Sequence, residues 1–292
     1  MPELAEVELA RRIWEPGLAQ RIIAVDCHPQ TRVYRDTPAP KIESALTGRS
    51  LVSSRSHGKR LLFSFSPASR PRAARLEPST HIELHLGMAG RLFLAAPHYE
   101  AERHDHFVLR TPNLSLVYSD YRQFGRVFLH DPSADPWSTL PLEVLDRRFT
   151  LSYLGRITAR RQGATLKALL LDQGLFPGVG NWMADEICWR IPCHPETRLR
   201  DLDLARIRSV SRQVSRGALR HVADKNAPRS GREGFSPGRY VEQVPPRSWL
   251  FQHRWKAGGC CPRCRSALDR GTIATRTTAW CPSCQPPAGS GA

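Results

Sequence analysis

The sequence predicts an α+β chain. Three features carry that expectation: an amphipathic opening segment, a run of short alternating apolar stretches behind it, and a second half whose apolar period lengthens to that of a helix and ends in paired cysteines.

The opening segment, residues 3 to about 18, places Leu4, Val7, Ala10, Trp14 and Leu18 on one helical face, with Pro16 and Gly17 as the stop. From about 20 to 130 the period falls to two. Leu61, Phe63 and Phe65 alternate, as do Ile82, Leu84 and Leu86, and again Leu114, Leu116 and Tyr118. Several half-buried strands separated by Gly and Pro predict a β-sandwich or barrel. Gly87-Met88-Ala89-Gly90 reads as a hairpin tip or turn, and the Pro-, Arg- and Ala-rich residues 67–79 as a loop. Pro132, Pro136 and Pro141 mark a linker. Beyond it Leu166, Leu169 and Leu170 share a stripe, and Ile207, Val210, Val214, Ala218 and Val222 recur at helical spacing. The Gly-, Pro- and Arg-rich stretch 225–247 reads as a loop.

The 292 residues suffice for about two ordinary domains. Lys and Arg number 43 against 27 acids, a formal charge of +16, which favours a polyanionic partner through counterion release. No apolar run is long enough to span a membrane. The acidic start Met1-Pro2-Glu3-Leu4-Ala5-Glu6 lacks a hydrophobic secretion segment, so a cytoplasmic location is expected.

Five of the eight cysteines fall between Cys260 and Cys284. Cys261-Pro-Arg-Cys264 and Cys281-Pro-Ser-Cys284 stand sixteen residues apart, the spacing of two knuckles around one tetrahedral Zn²⁺ with a short hairpin between them. Cys260 could replace Cys261 only by giving one knuckle an extra residue. The motif holds no His or carboxylate that would indicate an open coordination position, so the ion is expected to hold structure. Arg276, with Thr277 and Thr278, sits just before the second knuckle, where a rigid hairpin can present a cation to a phosphate.

Several segments, in order along nearly the whole chain, resemble the formamidopyrimidine-DNA glycosylase and endonuclease VIII family. They are Pro2-Glu3-Leu4-Ala5-Glu6-Val7-Glu8, Leu86-Gly87-Met88-Ala89-Gly90, Asp120-Tyr121-Arg122-Gln123-Phe124-Gly125, Gly178-Val179-Gly180-Asn181 and the paired cysteines. The family usually has Pro where this chain has Ala5. The separated Met, Arg and Phe resemble the formamidopyrimidine branch more than the endonuclease VIII branch. The resemblance implies an N-terminal helix and β-sandwich, a helix–two-turns–helix domain and a C-terminal zinc-binding β-hairpin, with DNA in the cleft between the halves. The corresponding boundaries are a catalytic sandwich at 1–135, a linker at 136–150, the helical DNA-binding domain at 151–247, the zinc finger at 248–286 and a tail at 287–292.

Site residues follow from the same resemblance. Loss of Met1 would expose Pro2 as a secondary amine that attacks the sugar C1′ and forms an iminium ion. On its own Pro2 reads as a helix start. Glu3 would move protons at that centre, and Glu6, a helical turn on, would order it. Lys59, grouped by the resemblance with the catalytic residues, would bind a phosphate near the lesion and influence the protonation of the nucleophile. His85, Asn181 and Arg276 would clamp the backbone around the extruded nucleotide. Asn181 taken alone reads as a helix N-cap before Trp182. Met88 would fill the void left by the flipped base, with Arg122 and Phe124 as companion arginine and wedge.

The implied activity is a base-excision-repair DNA glycosylase with abasic-site lyase activity. It would act as a monomer on double-stranded DNA carrying oxidised purines (8-oxoguanine, formamidopyrimidines) or abasic sites, in the bacterial cytoplasm. Two alternatives stand beside it: a catalytically silent binder of damaged DNA, and a glycosylase preferring oxidised pyrimidines. Residues 225 to 255, above all Ser248-Trp249-Leu250-Phe251-Gln252-His253-Arg254-Trp255, depart from the familiar purine enzymes.

Overall fold

In the computed structural model, residues 2–67, 79–130, 135–224, 244–255 and 258–287 are described. The chain divides into two units: one built on residues 6–139, the other on Glu3–Ala5 with residues from 140 onward. The expected loop at 67–79 lies largely outside the described residues. So do Pro132 and all but the end of the 225–247 stretch.

In the first unit, helix α1 (Leu4–Ile13) forms where the apolar face predicted it, and a 3₁₀ turn at Glu15–Gly17 carries Pro16. Val7, Ala10 and Trp14 are buried in the core, with Leu18 packed on its edge. The strands are β1 (Ala24–Cys27), β2 (Arg49–His57), β3 (Arg60–Pro67), β4 (Thr80–His85), β5 (Arg91–Ala95), β6 (Asp105–Arg110), β7 (Ser115–Ser119) and β8 (Arg126–Leu129), with helix α2 (Ala39–Leu46) between β1 and β2. They form two four-stranded antiparallel sheets, ordered β1-β6-β7-β5 and β2-β3-β4-β8. Phe63, Phe65, Ile82 and Leu84 from one sheet share a single apolar cluster with Phe107, Leu109, Leu116 and Tyr118 from the other. That common core makes the pair a sandwich, but β3, β6 and β7 are buried along nearly their whole length and not on alternate residues only, so these strands are not half-buried as the alternation predicts.

Gly87–Gly90 is a turn, but not a hairpin tip. It joins β4 to β5, which belong to different sheets. The Gly90 nitrogen donates to the Leu86 carbonyl (2.8 Å), closing the crossover.

The second unit is helical: α3 (Leu151–Thr158), α4 (Leu166–Leu171), α5 (Asn181–Arg190) and α6 (Leu204–Ala218), closed by the hairpin β9 (Asp269–Ile273) and β10 (Arg276–Trp280). Leu166, Leu169 and Leu170 are buried, as are Ile207, Val210, Val214 and Ala218. Val222 is buried in a π-helical turn at Leu219–Asp224 that continues α6. Thr150, Thr165 and Asp203 cap α3, α4 and α6 with their own side chains. Helix α5 has no cap of this kind. Among the described residues no helix is long and apolar enough to cross a membrane.

Candidate functional site

In the first unit, two loops meet because two glycines leave room for backbone. Gly87 has φ +62, and a Cβ there would strike the Phe124 and Gly125 backbone. The loop after β7 is built on Asp120, which is fully buried. Its Oδ1 accepts from the Arg122 nitrogen (3.1 Å) and its Oδ2 from the Gly125 nitrogen (2.8 Å) and the Tyr118 hydroxyl (3.3 Å). Gln123 takes φ 54, a left-handed conformation that this local bonding supports. The result is two adjoining tips with Met88 37% and Phe124 52% exposed, in a chain that buries most of its large apolar residues. The Arg122 guanidinium lies over the Phe124 ring at 4.8 Å. The sandwich thus brings Met88, Arg122 and Phe124 to one place.

His85 and Lys59 occupy the neighbouring corner. Lys59 sits in the two-residue turn between β2 and β3, where His57 pairs with Arg60 and Gly58 supplies φ +58. Arg60 in turn pairs across the sheet with His85. The His85 Nδ1 accepts from the Gly87 nitrogen (3.0 Å), so the ring proton resides on Nε2. Burial, and then the charges of Lys59 and Arg60, push its imidazole below the ordinary value. His85 is therefore a neutral ring near pH 7 with one N–H left to offer. Pro2, half-buried, precedes α1, and Glu6 is half-buried in its first turn.

In the second unit, α5 takes its cap from the start of the chain. Glu3 is 2% exposed. Its Oε2 accepts from the Gly180 (2.9 Å) and Met183 (3.1 Å) nitrogens, and its Oε1 from the Trp182 nitrogen (2.9 Å). The Leu4 nitrogen donates to the Gly178 carbonyl (2.9 Å). These donors are the unpaired N–H groups every helix start leaves, and they suit an anion. Gly180 is required here, since a Cβ would collide with the Glu3 carboxylate.

Asn181 is accordingly not the N-cap. Gly180 holds that position, and Asn181 is the first helical residue. Its Nδ2 instead donates to the Thr277 carbonyl (2.7 Å), next to Arg276. A primary amide has two hydrogens, so one remains for a ligand. Arg276 is exposed at the start of β10. The preceding turn places both Ala274 (φ 50) and Thr275 (φ 61) in the left-handed region. Such a turn matches hairpin twist, but two non-glycine residues there cost about 1 kcal/mol or more each.

The sulfurs of Cys261, Cys264, Cys281 and Cys284 lie within 4.8 Å of one another, with neighbouring pairs at 3.4–3.9 Å. Four thiolates ~2.3 Å from a tetrahedral ion would stand roughly 3.8 Å apart, so the donor set fits such an ion. Cys260 is exposed and directed to the Gly258 carbonyl, outside the cluster. The spare-cysteine alternative is thereby removed.

Three charged residues were not singled out from the sequence: Lys167, Asp185 and Arg254. All are buried together beneath Asn181 and Thr277. A signal existed. Lys167 interrupts Leu166–Leu171, and Asp185 stands among the apolar residues of α5; a charge in a buried stripe requires a partner.

The N-terminal domain of formamidopyrimidine-DNA glycosylase matches residues 1–127, and the H2TH domain of the same enzyme matches residues 140–226. A formamidopyrimidine-DNA glycosylase from Chloroflexus aurantiacus is 34% identical, with 98% of each chain covered. One from Thermomicrobium roseum is 32% identical, covering 98% of this chain and 99% of that one. A solved complex of the wild-type Lactococcus lactis Fpg (MutM) with DNA containing N7-benzyl-Fapy-dG superposes with a TM-score of 0.78 at 25% identity, covering 98% of this chain and all of the other.

Proposed function

Because the chain belongs to the formamidopyrimidine-DNA glycosylase family, we propose that it is a base-excision-repair DNA glycosylase and abasic-site lyase whose nucleophile is the amine of Pro2. The observation that carries this reading is the Glu3 carboxylate on the start of α5, which fixes the residue beside Pro2 in place through three N–H bonds. An α-amino group has an ordinary pKa of about 8, so a useful fraction is neutral near pH 7. That amine adds to the sugar C1′ as the C1′–base bond breaks and the base departs. Opening of the C1′–O4′ bond, with a proton delivered to O4′, converts the adduct to an iminium ion; this acidifies C2′–H, and loss of that proton forms the C2′=C3′ bond as the C3′–O bond breaks and the 3′ phosphate leaves. In this reading Glu3 passes protons during ring opening, and Glu6 orders it.

Lys59 and the Nε2–H of neutral His85 serve phosphates on the sandwich side. Asn181 and Arg276 serve them on the helical side. Met88, Arg122 and Phe124 enter the space vacated by the flipped nucleotide, where exposed apolar tips stabilise an unstacked step. Cys261, Cys264, Cys281 and Cys284 would hold one Zn²⁺, which would fix the hairpin that carries Arg276. It takes no part in the reaction. The sandwich at 1–135 thus supplies chemistry and wedge, while residues 151–247 and the finger at 248–286 supply the phosphate grip, with the linker at 136–150. The substrate is double-stranded DNA with oxidised purines or abasic sites, bound by a monomer in the bacterial cytoplasm.

Borohydride trapping of Met1-processed protein on duplexes containing 8-oxoguanine or an abasic site tests the reading. A covalent adduct on Pro2 is expected; blocking the terminal amine by acetylation abolishes it, and Glu3→Gln reduces it on the 8-oxoguanine duplex. Tight binding without adduct or cleavage identifies a silent binder instead. Cleavage confined to oxidised pyrimidines shifts the substrate class.

A further inference from the structure

We propose that Asp185 and Arg254 are positioning residues that hold the two phosphate contacts of the helical unit, Asn181 and Arg276, at a fixed spacing. The inference rests on the phosphate-contact reading of those two residues.

Asp185 projects from the buried side of α5 and is fully shielded from solvent. Its Oδ1 pairs with the Lys167 ammonium. Its Oδ2 accepts from Arg254 Nε (2.8 Å) and Nη2 (2.5 Å) and from the Ala279 nitrogen (3.3 Å). Each cation then reaches a main-chain carbonyl. Lys167 Nζ donates to the Asn181 carbonyl (2.9 Å), and Arg254 Nη2, 3% exposed as a side chain, donates to the Thr277 carbonyl (3.2 Å). The same Thr277 carbonyl accepts from Asn181 Nδ2 (2.7 Å).

These contacts close a ring: Asn181 side chain, Thr277 carbonyl, Arg254, Asp185, Lys167, Asn181 carbonyl. It ties the first residue of α5 to the residue following Arg276. Removing Asp185 leaves two buried cations without their carboxylate, and removing Arg254 takes one donor at once from Asp185 and from the Thr277 carbonyl. A buried ion pair by itself is weak evidence for stability. What this one supplies is a geometric link between two elements far apart in sequence that must engage the same phosphate backbone. The ring also holds two cations against one anion, and that surplus charge lies beneath Asn181, where an approaching phosphate would complement it.

A double-mutant cycle on the full-length zinc protein tests this. Affinity is measured for a duplex carrying a tetrahydrofuran abasic analogue, which the enzyme cannot cleave, with Asn181→Ala, Arg254→Met and the pair. Zinc content and melting temperature are recorded for each. Asn181→Ala is expected to weaken binding about tenfold, Arg254→Met about as much, and the pair no more than about twofold beyond Asn181→Ala alone. Strictly multiplicative losses, with zinc retained, overturn the positioning role while leaving the phosphate-contact reading intact. An Asn181→Ala variant that binds normally overturns that reading, and the inference with it. Should Arg254→Met lose zinc or fail to fold, the cycle is run with Arg254→Lys. That variant keeps the charge but cannot bridge Asp185 and Thr277 at once. Multiplicative losses there overturn the proposal equally.

Discussion

Replacing Glu3 with Gln separates its two roles. The substitution keeps the shape of the side chain and removes its charge. Three N–H donors point at the native carboxylate, from Gly180, Trp182 and Met183. An amide has one oxygen, so at least one donor must face an NH₂ group instead. A lost hydrogen bond to a charged group costs about 1.5–3 kcal/mol. Loss of an anion from a helix start adds about 0.3–1 kcal/mol. The sum, about 2–4 kcal/mol, corresponds to a fall in melting temperature of roughly 3–7 °C for a chain of this size. Differential scanning calorimetry reads that fall, and amide exchange reads its location: the Gly180, Trp182 and Met183 amides lose protection first. If Glu3 also moves protons, excision under single-turnover conditions falls a further ~10²–10⁴-fold at temperatures where the variant remains folded. An unchanged melting temperature with unchanged protection at those amides would refute the capping geometry. A stability loss with full excision activity would confine Glu3 to structure.

Three further outcomes are expected. Glu8 is burdened by burial, but the bonds from Arg11, Ser56 and Arg12 outweigh it and hold the carboxyl at about 2, against an ordinary 4.5. Its contribution is therefore complete above pH 4.5 and lost as pH falls toward 2. Glu8→Gln should cost about 2 kcal/mol at pH 7, allowing for solvent screening, and its denaturation midpoint should converge on the parent's in acid. Cys281→Ser should release the metal, measured by elemental analysis, and weaken binding to abasic-analogue DNA, while near-ultraviolet signals of the sandwich persist. Phe124→Ala removes a ring already 52% exposed, so stability should shift by no more than about 0.5 kcal/mol, while affinity for lesion-bearing duplex over intact duplex falls severalfold. A melting shift without a change in that preference would count against the wedge.

The sequence by itself determined what local periodicity and spacing can carry. Alternation specified the strands because successive side chains point to opposite faces and every second one, such as Leu61, Phe63 and Phe65, enters the shared core, and the Leu166–Leu170 and Ile207–Ala218 stripes specified helices because a helix buries every third or fourth. Cysteine spacing specified the cluster, since a knuckle is made of neighbours, although only the fold directed Cys260 outward. The tertiary structure decided what depends on distant partners. Of the two readings of Gly87–Gly90, hairpin tip or turn, it chose the turn and made it a crossover between sheets, because strand order is set by core burial and not by adjacency. It gave the cap of α5 to Glu3, 177 residues before Gly180, and so released Asn181 to bond Thr277. It assembled Lys167, Asp185 and Arg254 into one ring. A buried charge announces in sequence that it needs a partner, but electrostatic pairing has no period. Only the path of the chain through space names the partner.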